Sequence, residues 1–244
     1  LAAGLLYLFD VFPGKRAIEI ESNEHRERTV LGTGVAYFAY IGLTFLIITL
    51  AQFGTSLGLF SISGLNSVTS VNSISGVFAE SVQALIFQGN KILSFFAIGG
   101  PVGISESLFF FVVAFELFFI NMLKINPYVF SIPLVAAIIL IAIAFMFYHA
   151  NAKGLDDNAA IISTMSFAIV SMFLIMWEGQ AIGALLLHVS ANISALVQKF
   201  GYWPSFLNFG FFAMPIFQSV ATVGAVLGAF YVLSKKGFIP QLSG

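Results

Sequence analysis

The sequence predicts an all-α fold: a polytopic transmembrane helix bundle with about six core spans plus an amphipathic or re-entrant helix. Three observations predict it. Of the 244 residues, 59% are hydrophobic and only 9% are charged, whereas a soluble domain carries about 25% charged residues. Mean hydropathy is +0.99, and surface shrinks too slowly relative to volume for a soluble fold of this size to hide so much apolar area. The apolar runs are continuous and about 20 residues long, the length that crosses ~30 Å of hydrocarbon. A membrane β-barrel would instead show short apolar–polar alternation. Cysteine is absent, which excludes disulfides and thiolate metal sites. A net charge of −1 carries no nucleic-acid footprint.

Residues 1–30 read as an apolar segment, too short to span, followed by a charged surface loop or short surface helix. The loop sets Lys15, Arg16, Arg26 and Arg28 against Glu19, Glu21, Glu24 and Glu27. Residues 31–240 read as a single transmembrane domain. A first span covers about 31–52, then a polar Gly/Ser/Asn-rich connection covers 54–76. Residues 77–98 carry Glu80, Gln83, Gln88, Asn90 and Lys91 and read as an amphipathic or partly re-entrant helix. Gly99-Gly-Pro101-Val-Gly103 is expected to break the chain. Further spans follow at about 104–123, 127–149, 159–177, 180–198 and 208–233. Trp177, Tyr202 and Trp203 stand at span ends, as interfacial aromatics do. Gly179-x-x-x-Gly183 and Gly224-x-x-x-Gly228 predict close helix approach.

Basic residues in the N-terminal loop, with Lys235 and Lys236 in the tail, place both termini on the cytoplasmic side by the positive-inside rule. That requires an even number of crossings, and six fit if 77–98 does not cross. The expected location is therefore the cell membrane, with the bilayer as the first partner.

Polar residues inside spans are costly and mark function by default. Those here are Glu106, Glu116, His149, His188 and Asn192. Each has a plain structural reading: Glu106 as a helix-start carboxylate, Glu116 paired to a neighbouring helix, His149 interfacial. Together they point further. His188 and Asn192 are four apart, hence on one helix face. Glu106 near the start of its span and His149 near the end of the next fall at one depth in antiparallel neighbours. One cavity then collects Glu106, His149, His188 and Asn192. A carboxylate with a histidine can hold and deprotonate water, and a His/Asn pair can donate to a developing oxyanion. The alternative use of Glu106, His149 and His188 is a metal site, since two histidines and a glutamate are a common zinc set. His-Glu-x-x-His is absent.

Phe145-x-x-x-His149 and His188-x-x-x-Asn192, each in a hydrophobic helix, resemble the second and third motifs of the CAAX-prenyl protease and bacteriocin-processing family, which are intramembrane glutamic proteases. The stretch Pro101-Val-Gly-Ile-Ser105-Glu106-Ser107-Leu-Phe109-Phe110-Phe111 is similar to the family's first motif. It departs from it in holding one glutamate rather than a pair, with Ser105 or Ser107 in the other place by register, and Phe110 or Phe111 where the family has arginine. The resemblance covers about residues 98–200. It implies Glu106 with His149 as the water-activating base, His188 with Asn192 as oxyanion donors, no cofactor, and a membrane-associated peptide or protein as substrate. If Glu106 matches the second glutamate instead, it implies a non-catalytic relative that binds partner membrane subunits. A transporter or channel using the same polar cluster is the third reading.

Overall fold

A computed structural model of the chain describes residues 23–62, 90–127, 129–153, 158–179, 181–200 and 215–238. The expectations placed on 1–22, 63–89, 154–157 and 201–214 lie outside the described residues; among them are the short N-terminal segment, most of the polar connection, and Tyr202 and Trp203. Every regular element among the described residues is a helix. Six are long and apolar enough to cross a membrane, as the composition predicts.

Helix α1 spans Asn23–Ser56. Its 34 residues give roughly 50 Å at 1.5 Å per residue, longer than the hydrocarbon core. The surplus is the charged run: of the two readings, loop or short surface helix, 23–30 takes the helical one, as the first two turns of α1. Two basic side chains there tie the helix down. Arg26 is buried and donates to the Ser234 carbonyl at 2.9 Å. Arg28 donates to the Trp177 carbonyl at 2.6 Å and stands over the Trp177 ring at 5.4 Å. The helix closes at Gly58, whose φ of +70° is open to glycine without strain.

Helix α2 runs from Lys91 to Met122, and Asn90 caps it by accepting from the Leu93 N–H at 2.9 Å. This corrects one expectation: Gly99–Gly103 does not interrupt the chain, and residues 91–98, the described end of the expected amphipathic helix, run straight into the span. The helix passes Pro101 by widening into a π turn over Ile98–Val102, resumes α geometry over Gly103–Ser107, and widens again over Leu108–Met122. Widening accommodates a proline that has no N–H to give. Gly99 and Gly103 serve packing: a Cβ on Gly99 would lie 3.0 Å from Ile193, whereas Gly100 faces open space.

Helices α3 (Ile132–Lys153), α4 (Asn158–Glu178), α5 (Ile182–Phe200) and α6 (Pro215–Lys235) complete the bundle. Helix α4 is its post: its apolar window is 72% buried, against 33–44% for the other five. Around it α1 packs on α4, α5 and α6, α3 packs on α4 and on the end of α2, and α5 packs on α6 and on the middle of α2. The core is aromatic where α2, α3 and α4 meet, at Phe111, Phe115, Phe145 and Phe167. The lipid-facing sides carry Phe38, Phe53, Phe96 and Phe118.

The glycine pairs behave differently from expectation. Gly179, at φ +70°, ends α4 rather than packing inside a helix. Gly224 and Gly228 have open space where a Cβ would be. Gly183 is a close approach, and what it admits is the buried carboxyl of Glu178.

Candidate functional site

The middle of α2 carries three buried residues on its α-helical stretch, Gly103, Glu106 and Ser107. Spacings of three and four put them on one face, and that stretch packs on α5. The face of α5 that meets it holds His188 and Asn192, also one turn apart. Helix α3 adds Phe145 and His149 at the same spacing. Each of three helices thus supplies an i, i+4 pair to one place.

At the centre is one oxygen. Oε2 of Glu106 lies 3.3 Å from Nε2 of His149 and 3.3 Å from Nε2 of His188. All three side chains are buried. Histidines sharing one site should lie within roughly 10 Å, a few hydrogen-bond lengths. Here both ring nitrogens reach the same atom. Glu106 lies near the middle of α2 rather than in a first turn, because α2 begins at Lys91. The convergence holds although that register was misplaced.

The far side of each ring is also held. Nδ1 of His149 donates to the Phe145 carbonyl at 2.8 Å. A carbonyl only accepts, so Nδ1 carries the proton and Nε2 of the neutral ring is a bare lone pair. Nδ1 of His188 hydrogen-bonds Oγ of Ser107 at 2.8 Å, and Ser107 is fully buried. A hydroxyl can donate or accept, so Ser107 decides which face of His188 is protonated. Phe145 and Phe167 wall the rings, at 4.2 Å from His149 and 4.8 Å from His188 between centroids. The exposed Tyr148 side chain neighbours Glu106 on the outer side of the site.

Asn192 stands beside this cluster rather than in it. Its Nδ2 donates to the Ile98 carbonyl in the π turn at 3.0 Å. An amide nitrogen has two protons, so one remains for a ligand. Gly103 makes the room: a Cβ there would lie 2.9 Å from Asn192 Nδ2 and 3.4 Å from the His188 ring.

No family model, curated protein or solved structure matches the chain. The case for a function therefore rests on the residues.

Glu116 does not join the site. It is buried on the π-helical part of α2, and its Oε2 meets no hydrogen-bond partner among the described residues, so the expected pairing to a neighbouring helix is not seen there. Reading the sequence missed the contact of Ser107 with His188, the clearance at Gly103 and the contact of Tyr148 with Glu106. The spacing of Gly103 and Ser107 around Glu106 was the available signal for the first two.

Proposed function

We propose that this integral membrane protein is an intramembrane peptide hydrolase. The observation that carries the reading is the shared oxygen: Glu106 Oε2 at 3.3 Å from both His149 Nε2 and His188 Nε2. A water entering between Glu106 and His149 meets a carboxylate and a lone pair that can take its proton. The hydroxide equivalent attacks the scissile carbonyl carbon, and the carbonyl oxygen takes the negative charge. With Ser107 donating to Nδ1, His188 presents Nε2–H, and Asn192 offers its second amide proton. Donors placed for the oxyanion in a water-poor site stabilise it far more than in bulk water. The proton held by the Glu106/His149 pair then passes to the leaving amine as the C–N bond breaks.

The resemblance to the CAAX-prenyl protease and bacteriocin-processing family supports the same assignment, with Glu106 in the register of the first motif's first glutamate. That register puts Ser107 in the place of the second glutamate and Phe111 in the place of the arginine. The substrate class is a membrane-associated peptide or protein, and the termini face the cytoplasm. In proteoliposomes, cleavage of membrane-anchored peptide reporters by the wild type, lost in Glu106→Gln and in His188→Ala with helicity retained, is the expected result. Full activity in either variant sinks the proposal.

One observation favours a second reading, a non-catalytic bundle that binds partner subunits. Phe111 is fully buried and packs on Phe145 and Phe167, so the family's arginine position is apolar core here. Stable co-purification with other membrane proteins, without cleavage of any reporter, is its signature.

A further inference from the structure

Three electron-pair donors point at one spot between α2, α3 and α5. The Phe145 carbonyl fixes the first: neutral His149 has no proton on Nε2. His188 becomes the second when Ser107 accepts from its Nδ1–H, which leaves Nε2 bare. The third is the Glu106 carboxylate, acceptor-only when ionised. In this state three lone pairs face one another in a buried setting, where low dielectric strengthens their mutual repulsion. A positive centre between them converts that repulsion into bonds.

The spacing suits a metal ion. Ligand atoms at ~2.0–2.1 Å from zinc, at the corners of a tetrahedron, stand roughly 3.3–3.4 Å from one another. Both nitrogen–oxygen separations are 3.3 Å, and the three donor atoms all lie within 4.8 Å of one another. The outer nitrogens fit as well. Metal-bound histidines donate their other ring N–H to a carbonyl, carboxylate or similar acceptor, which orients the ring. Here Phe145 and Ser107 are those acceptors. Two imidazoles and one carboxylate suit zinc-class ions, whereas magnesium and calcium take oxygen ligands. Three protein ligands leave a fourth position for water or substrate.

We propose that Glu106, His149 and His188 bind a single zinc-class divalent transition-metal ion. This goes beyond the hydrolase reading, since it concerns what occupies the triad and needs no cleavage. A bound ion of this class would lower the pKa of a water in its fourth position and polarise a carbonyl. His188 is then a ligand, and Asn192 alone is left to meet a substrate oxygen. Ser107 separates the two arrangements: donating, it leaves His188 an N–H for an oxyanion; accepting, it leaves a lone pair for a metal.

The test uses the full chain purified in detergent, stripped with chelator and titrated with cobalt(II). The expected result is about one equivalent bound per chain, with the intense visible absorption of tetrahedral cobalt, displaced by zinc. Glu106→Gln and His149→Ala should abolish the band, and Ser107→Ala should weaken binding roughly 10- to 100-fold, as loss of an orienting partner does. Circular dichroism keeps unfolding out of the comparison. The wild-type titration needs no variant at all. A folded wild type that takes up no cobalt, or shows only the weak octahedral spectrum of surface carboxylates, overturns the proposal. So does a tetrahedral band that survives in Glu106→Gln. Cleavage by a metal-free protein that also takes up no cobalt overturns the metal and leaves the hydrolase; stoichiometric metal without cleavage does the reverse.

Discussion

Ser107 Oγ lies 2.8 Å from Nδ1 of His188, on the opposite side of the ring from Glu106. The serine is fully buried on α2 and the histidine is buried on α5. A helix-to-helix contact therefore governs the protonation pattern of a ring that faces a carboxylate. Replacing Ser107 by alanine removes the hydroxyl and leaves Nδ1 without that partner in a dry setting. A buried polar group left unsatisfied costs about 1–3 kcal/mol. Ser107→Ala should lower the melting temperature in detergent and slow reporter cleavage at least tenfold. Wild-type cleavage in Ser107→Ala would show that the tautomer of His188 is irrelevant to the site.

Glu106 and His149 form the water-activating half of the proposed mechanism. General acid–base groups contribute typically 10²–10⁴-fold. Glu106→Gln keeps the shape and removes the base, so kcat should fall by about that range while KM for the reporter changes little. His149→Ala should fall as far. The two should not add, because one proton is passed between them. A double variant whose loss equals the product of the single losses would show that the two act separately.

The membrane class, the six spans and the four polar residues were legible in the sequence because each rests on a strong local signal. Hydrocarbon forbids unpaired backbone, so long apolar runs can only be helices. A buried His or Glu in such a run is conspicuous for the same reason. What was not legible is how the chain crosses Pro101. Glycine and proline together signal a break in water, but a π turn packed on α5 keeps α2 continuous and moves Glu106 from a helix start to a helix middle. The charged run at 23–30 likewise reads as loop or short surface helix by composition. What ties it to the bundle is distant, the Ser234 and Trp177 carbonyls, which no local pattern announces. Ser107 was noticed as a departure from a motif. Its bond to His188 depends on how α2 and α5 face each other, and spacing alone does not give that.

Gly103 offers a separation of stability from function. An alanine Cβ would come 2.9 Å from Asn192 Nδ2, which is tethered to the Ile98 carbonyl. Displacing the amide forfeits a hydrogen bond worth about 0.5–1.5 kcal/mol. Alanine in place of mid-helix glycine returns roughly 0.5–1 kcal/mol. The two nearly cancel, so Gly103→Ala should melt within a few degrees of wild type. Its cleavage should nevertheless fall several-fold, because the amide and the neighbouring His188 ring are pushed aside. Unchanged cleavage in a stable Gly103→Ala protein would remove Asn192 from the proposed oxyanion site.

The ends of the bundle give the last prediction. Arg26 at the start of α1 bonds the Ser234 carbonyl near the end of α6, and Arg28 bonds the Trp177 carbonyl near the end of α4. The start of α1 and the ends of α4 and α6 therefore share one end of the bundle. That end also carries Lys235 and Lys236, and basic residues are retained on the cytoplasmic side. The opposite end of α1 exposes Leu59. The chain has no cysteine, so single introduced thiols report cleanly on sidedness. A membrane-impermeant maleimide applied to intact cells should label Leu59→Cys and leave Lys236→Cys untouched until the membrane is opened. Arg26→Ala should loosen the joint between α1 and α6, seen as faster proteolysis of the C-terminal tail in opened membranes. Labelling of Lys236→Cys in intact cells would invert the orientation, and labelling of both positions from one side would contradict a crossing by α1.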